Sequence, residues 1–102
     1  MLDHAEELVL IATGRVRDHL DTDRQFHLAV LHLVQTVGEA SRRLSASLRN
    51  AHPEAEWQDI AGMRSQIVHA YDSVDLDLLW DMVQIDLPVL IPQLRRILRE
   101  MP

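Results

Sequence analysis

Apolar residues recur along most of the chain at the spacing of a helix face. From about Asp3 to Leu20, Ala5, Leu8, Val9, Ala12, Val16 and Leu20 fall on one stripe. Gly14 is expected to weaken this helix without ending it. Asp21-Thr22-Asp23 then supplies a stop and N-cap candidates. The second segment, about Asp23 to Asn50, has Phe26, Val30, Leu33, Val37, Ala40 and Leu44 every four then three residues, the stripe of a helix packed lengthwise on partners. Gly38 lies inside that stripe, where a glycine costs about 1 kcal/mol relative to alanine. Close approach of a neighbouring helix would explain it. His52-Pro53 ends the segment, because proline disfavours a helical residue before it.

The third segment, about Trp57 to Val68, presents Ile60, Met63, Ile67 and Tyr71. After a loop at Asp72-Ser73, Asp75 is the expected N-cap of a fourth, carrying Leu76, Leu79, Trp80, Val83 and Leu87. Pro88 and Pro92 interrupt the pattern that continues through Leu90, Ile91, Leu94, Ile97 and Leu98. A proline inside a helix kinks or breaks it, so the spacing predicts a bend near Gln84 to Pro88, or two consecutive helices. No period-two alternation points to strands. The expected fold is an all-α bundle of four or five helices.

Composition narrows the function. At 102 residues the chain is expected to be a single domain, residues 1–102. The absence of cysteine excludes disulfides, thiolate zinc sites and cysteine nucleophiles. Phe26, Trp57, Tyr71 and Trp80 are the only aromatics, too few for an extended base-stacking platform. No apolar run is long enough for a membrane span, and the acidic start is unlike a signal peptide, so a cytoplasmic protein is expected. The net charge is −6, from 10 basic and 16 acidic residues, which argues against loose nucleic-acid binding. Every basic residue is arginine. Arg42, Arg43, Arg49 and Arg64 cluster mid-chain, Arg95, Arg96 and Arg99 crowd the end, and five aspartates lie between Asp72 and Leu94. Arginine suits bidentate phosphate contacts.

The 6 histidines include no pair at i, i+4 and no H-E-x-x-H, so no metal site is expected. Asp21-Thr22-Asp23 and Asp75-Leu76-Asp77 resemble metal motifs, but each precedes an apolar helix and reads as capping. There is no glycine-rich phosphate loop, and no cofactor is implied. What remains is Arg64 and His69. Arg64 can pair with phosphate through a permanent charge, and His69 can move a proton near neutral pH. Metal-free RNA cleavage needs these groups: a base for the ribose 2′-OH, a cation for the phosphorane and an acid for the leaving oxygen. One histidine cannot serve easily on both sides of the phosphorus, whereas two copies across a dimer axis can. Five residues of helix turn through about 500°, which leaves Arg64 and His69 about 140° apart. A helix end near His69, or the dimer, would have to resolve this. The plain alternative is a surface arginine, a helix-end histidine and a core tyrosine at 71.

The run Arg64-Ser65-Gln66-Ile67-Val68-His69-Ala70-Tyr71 resembles the signature of the HepT-like HEPN proteins, ribonuclease toxins of bacterial toxin–antitoxin pairs. The likeness extends to Val37-Gly38-Glu39-Ala40, Leu48 to Pro53, Trp57 to Arg64, Val74-Asp75-Leu76, Leu79-Trp80 and Asp86-Leu87-Pro88. It implies an up-down helical bundle that forms a homodimer, with Arg64 and His69 as catalytic residues in the interface cleft. It further implies a cognate minimal nucleotidyltransferase that adds AMP to the Tyr71 hydroxyl. Glu39 matches a glutamate of the family's second helix, which either contacts the motif or orients Arg64. Two positions depart from the pattern: Ser65 replaces a longer amide, and Ala70 replaces a glycine. They motivate an alternative, a non-catalytic nucleotide-binding or scaffolding subunit with the same partner. A purely structural helical dimer fits the composition equally well and differs only at the motif.

Overall fold

The computed structural model describes residues 1–70 and 73–100, and of Arg64, Val68, His69, Ala70 and Ser73 it describes the backbone alone. Four helical units surround one core. Helix α1 (Leu2–Ala12) lies against α3 (Arg24–Arg42) and the C-terminal α8 (Leu87–Glu100). The third unit is the pair α5 (Trp57–Ala61) and α6 (Met63–Ile67), and both helices pack on α3. The fourth is a rod made of α7 (Leu76–Asp81), a π-helical turn at Met82–Asp86, and α8. Ala5, Leu8, Val30, Val34, Val37, Ile67, Leu79 and Leu87 meet at its centre, each wholly buried. Truncating any one of these leucines to alanine removes about 2–5 kcal/mol. Among the described residues, no helix is long and apolar enough to cross a membrane.

The first segment breaks earlier than its periodicity predicts. Gly14 adopts φ +77°, a left-handed conformation open to glycine, and it terminates α1 rather than merely weakening it. Val16 consequently leaves the stripe and is 56% exposed, while Leu20 is buried from a separate short helix, α2 (His19–Thr22). The Asp23 carboxylate accepts from the Phe26 N–H at 3.1 Å and starts α3 as expected. That helix ends at Arg42, not Asn50. The buried Ser41 hydroxyl donates to the Gly38 carbonyl at 2.7 Å, an i−3 bond that competes with the helical ladder. Ser45 then caps a new helix, α4 (Ala46–Ala51), by accepting from the Leu48 N–H. His52-Pro53 stops α4, as its sequence requires.

Gly62 divides the third segment into α5 and α6. After Ile67 the chain leaves the helix, and of the loop expected at Asp72-Ser73, Asp72 lies outside the described residues. Val68–Ala70 (β1) pairs antiparallel with Ser73–Val74 (β2), Val68 opposite Val74 and Ala70 opposite Ser73. This small hairpin is the one local departure from an all-α fold among the described residues, and two strands this short carry no legible period. The Asp75 N–H then donates to the Ile67 carbonyl at 2.7 Å, and its carboxylate caps α7 through the Leu78 N–H at 3.0 Å.

Where the sequence predicts a bend or a helix break, near Gln84 to Pro88, the structure has a π turn, in which the Leu87 N–H reaches back five residues to the Met82 carbonyl. Pro92 does not interrupt α8, contrary to expectation. It is exposed, while buried Leu90, Ile91 and Leu94 around it anchor the helix to the core and override its poor propensity.

Candidate active site

Arg64 occupies the first turn of α6, a helix that packs on α3, α5 and α7. Helix α6 stops at Ile67, so His69 stands on β1 and not on the helix that carries Arg64. The 140° separation of a continuous helix therefore does not apply: an extended backbone begins between the two residues. The side chains of Arg64 and His69, and the whole of Tyr71, lie outside the described residues. Ser65 is exposed on α6, next to Gln66, whose side-chain amide turns back to donate to the Asp59 carbonyl at 3.4 Å.

Glu39 is linked to this helix through an intermediary. Its carboxylate pairs with Arg42 at 3.3 Å, and the Arg42 guanidinium donates to the Ala61 carbonyl at 2.8 Å, one residue before Gly62. Arg42 thus ties the end of α3 to the last residue of α5. Between the two roles expected for Glu39 these contacts do not choose, because the Arg64 and His69 side chains lie outside the described residues. Arg42 stands out in the sequence only as one of four clustered arginines, and its spacing from Glu39 is the signal that could have singled it out.

Between the α5–α6 pair and the π turn with the first half of α8 lies a groove of about 420 Å³ lined in part by Ile60, Met63 and Met82. Its rim is acidic, with Glu54, Glu56, Asp59 and Asp86. Burial, then the like charges of Asp81 and Asp59, push the Asp86 carboxyl above its ordinary range. Glu54 moves the other way, held down by its own backbone N–H and by Arg96. The groove therefore presents negative charge beside the motif helix, a distribution that periodicity alone does not reveal. Among the described residues, no group of three or more His, Cys, Asp or Glu side chains is gathered to hold a metal ion.

The all-α bundle is that of a small HEPN-type protein. The chain belongs to the Ribonuclease HepT-like family, whose family model matches residues 1–97, a range that contains Arg64, His69 and Tyr71. It is similar to "Probable ribonuclease HepT" of Thermococcus cleftensis, with 37% identity over 68 residues, 67% of this chain and 62% of that protein. The match thus spans less than two thirds of that relative's length. It is also similar to "Putative RNase TTE0752" of Caldanaerobacter subterraneus subsp. tengcongensis, with 31% identity over 98% of this chain and 89% of the relative. "Putative RNase MJ1380" of Methanocaldococcus jannaschii shares 26% identity over 86% of this chain and 81% of its own. No solved structure matches the chain significantly. Family and relatives together support a nuclease-type enzyme.

Proposed function

We propose that the protein is a metal-independent endoribonuclease, the toxin of a toxin–antitoxin pair, acting as a homodimer with two Arg64–His69 pairs in the cleft between copies. The observation that carries this reading is the run Arg64-x4-His69-x-Tyr71 within a chain of the HepT-like family. The end of α6 at Ile67 supports it, because His69 is freed from the helical phase of Arg64. In this chemistry the His69 of one copy takes the proton of the ribose 2′-OH as that oxygen bonds to phosphorus. The Arg64 guanidinium groups stabilise the charge on the phosphorane. The other His69 gives its proton to the departing 5′-oxygen, which leaves a 2′,3′-cyclic phosphate and a 5′-hydroxyl.

Control follows from the same stretch. A minimal nucleotidyltransferase transfers AMP from ATP to the Tyr71 oxygen, which loses its proton as pyrophosphate departs, and the bulk and negative charge, two residues past His69, close the cleft to RNA. Ser65 is shorter than the amide of the family pattern, and Ala70 stands where the pattern has glycine. These two residues favour a second reading, a nucleotide-binding or scaffolding subunit of the same complex that cleaves nothing.

Expression of wild type beside Arg64→Ala/His69→Ala in a bacterial host, with growth and RNA integrity scored, separates the two. Growth arrest and RNA loss that disappear in the double variant are expected. Wild-type protein that is harmless while Tyr71 is unmodified by mass would overturn the ribonuclease reading in favour of the subunit.

A further inference from the structure

Between α4 and the start of α5 lies a second, shallow and open hollow of about 420 Å³. Trp57 forms part of its wall, and the indole is fixed: its N–H is shared between the His52 carbonyl at 2.9 Å and the Arg49 carbonyl at 3.2 Å. Arg49 contributes its side chain, whose Nε is buried with no hydrogen-bond partner. Asn50, Gln58, Glu56 and Asp59 complete the polar lining, the two carboxylates standing between this hollow and the acidic groove, and among the described residues neither carboxylate has a hydrogen-bond or ion-pair partner.

This set of groups selects its ligand by chemistry. Two carboxylates against one guanidinium disfavour a bare phosphate. They suit a flat ring that offers acceptors on one edge and donors on the next. Guanine alone among the RNA bases has that order, O6 and N7 as acceptors beside N1–H and N2–H₂ as donors. Adenine would set its N6 donors against Arg49 and its N1 acceptor against a carboxylate. Pyrimidines lack the N7 acceptor.

We infer that this hollow is a guanine-selective nucleobase pocket, in which Trp57 stacks on the base, Arg49 donates to O6 and N7, and Glu56 and Asp59 accept from N1–H and N2–H₂. A base–aromatic stack of this kind tolerates any base, so the discrimination comes from the charged groups. Helix α5 leads through Gly62 directly into the helix of Arg64, so a guanine held here sets which phosphate of a bound RNA meets the motif. That last use rests on the ribonuclease reading, whereas the pocket itself does not.

The test is calorimetric titration of the full chain with 5′-GMP, 5′-AMP, 5′-CMP and 5′-UMP. Saturable 1:1 binding of GMP is expected, tighter than AMP by roughly tenfold or more. Glu56→Gln/Asp59→Asn abolishes the preference, and Arg49→Met weakens GMP by about tenfold while keeping the backbone carbonyl that Trp57 needs. His69→Ala leaves GMP binding unchanged. Absence of saturable GMP binding, or equal binding of AMP, would overturn the pocket, as would a carboxylate variant that folds and keeps the preference. GMP-selective binding by a chain that cleaves no RNA would retain the pocket and refute the ribonuclease; cleavage without GMP selectivity would do the reverse.

Discussion

Gly38 on α3 and Ile60 on α5 meet backbone to backbone: a Cβ at position 38 would stand 3.0 Å from the Ile60 carbonyl oxygen and 3.6 Å from that of Ala61. The neighbour is a carbonyl within a helix and cannot swing aside as a side chain would. Helix α5, and with it the start of α6, is therefore seated so close on α3 that a Cβ at position 38 would have to push it back by a few tenths of an ångström.

Gly38→Ala sets two effects against each other. Alanine improves the helix by about 1 kcal/mol, while overpacking costs about 1–3 kcal/mol. The clash prevails because backbone must move, so net destabilisation of about 1 kcal/mol is expected, and more for Gly38→Val. Urea unfolding with an unchanged m-value measures it. A stabilised Gly38→Ala would show that α5 can retreat freely.

The Glu39–Arg42–Ala61 chain gives a prediction about catalysis. If Glu39 acts on the motif only through Arg42, Glu39→Gln and Arg42→Met each lower RNA cleavage, and the double variant is no worse than Arg42→Met alone. Both residues are exposed, so the melting temperature should hardly move. Multiplicative losses in the double variant would mean that Glu39 reaches the substrate or the motif by itself.

Two aspartates should respond to pH in opposite directions. The Arg15 side chain, at 2.7 Å, and then the Phe26 N–H hold the Asp23 carboxyl below its usual range. The folded state thus binds that proton less tightly than the unfolded one. The resulting stability is full above the unfolded value and is lost as pH falls through about 4 and below. Asp86 is raised by burial, then by Asp81 and Asp59, so its contribution is favourable below about pH 4 and is lost as pH rises through its folded value. Asp23→Asn should lower the melting temperature at pH 7, with the gap narrowing toward pH 3. Asp86→Asn should raise it at pH 7, with the gain fading toward pH 4. Equal signs at pH 7 would contradict this account.

Much of this fold is legible from local rules. The Phe26 to Val37 stripe, the Asp23 and Asp75 caps, the stop before Pro53 and the irregularity ahead of Pro88 each follow from one residue's own stereochemistry. The close approach at Gly38 is legible too, since a glycine in an apolar stripe needs a reason. Errors arise where two rules compete. Gly14 continues the apolar period as well as it breaks it, and φ +77° decides for the break. Pro92 should end a helix, yet Leu90, Ile91 and Leu94 hold it in place through contacts distant in sequence. The site is legible only in part: the motif can be read as letters, but the strand under His69 depends on pairing with residues 73–74, which no helical period encodes.

The π turn has a consequence for how the molecule opens. Pro88 and Pro92 bring no N–H to the rod, and the turn at Met82–Asp86 replaces the regular ladder just before them. The rod is continuous in outline, but its hydrogen-bond cooperativity is interrupted at one level. Native-state amide exchange should accordingly divide it into two blocks. The segment from Leu76 to Asp81 would open with the hairpin that precedes it, and the end of α8 would open with α1. A protein this small would then have two independent local breathing modes, and only the first would disturb the strand that carries His69.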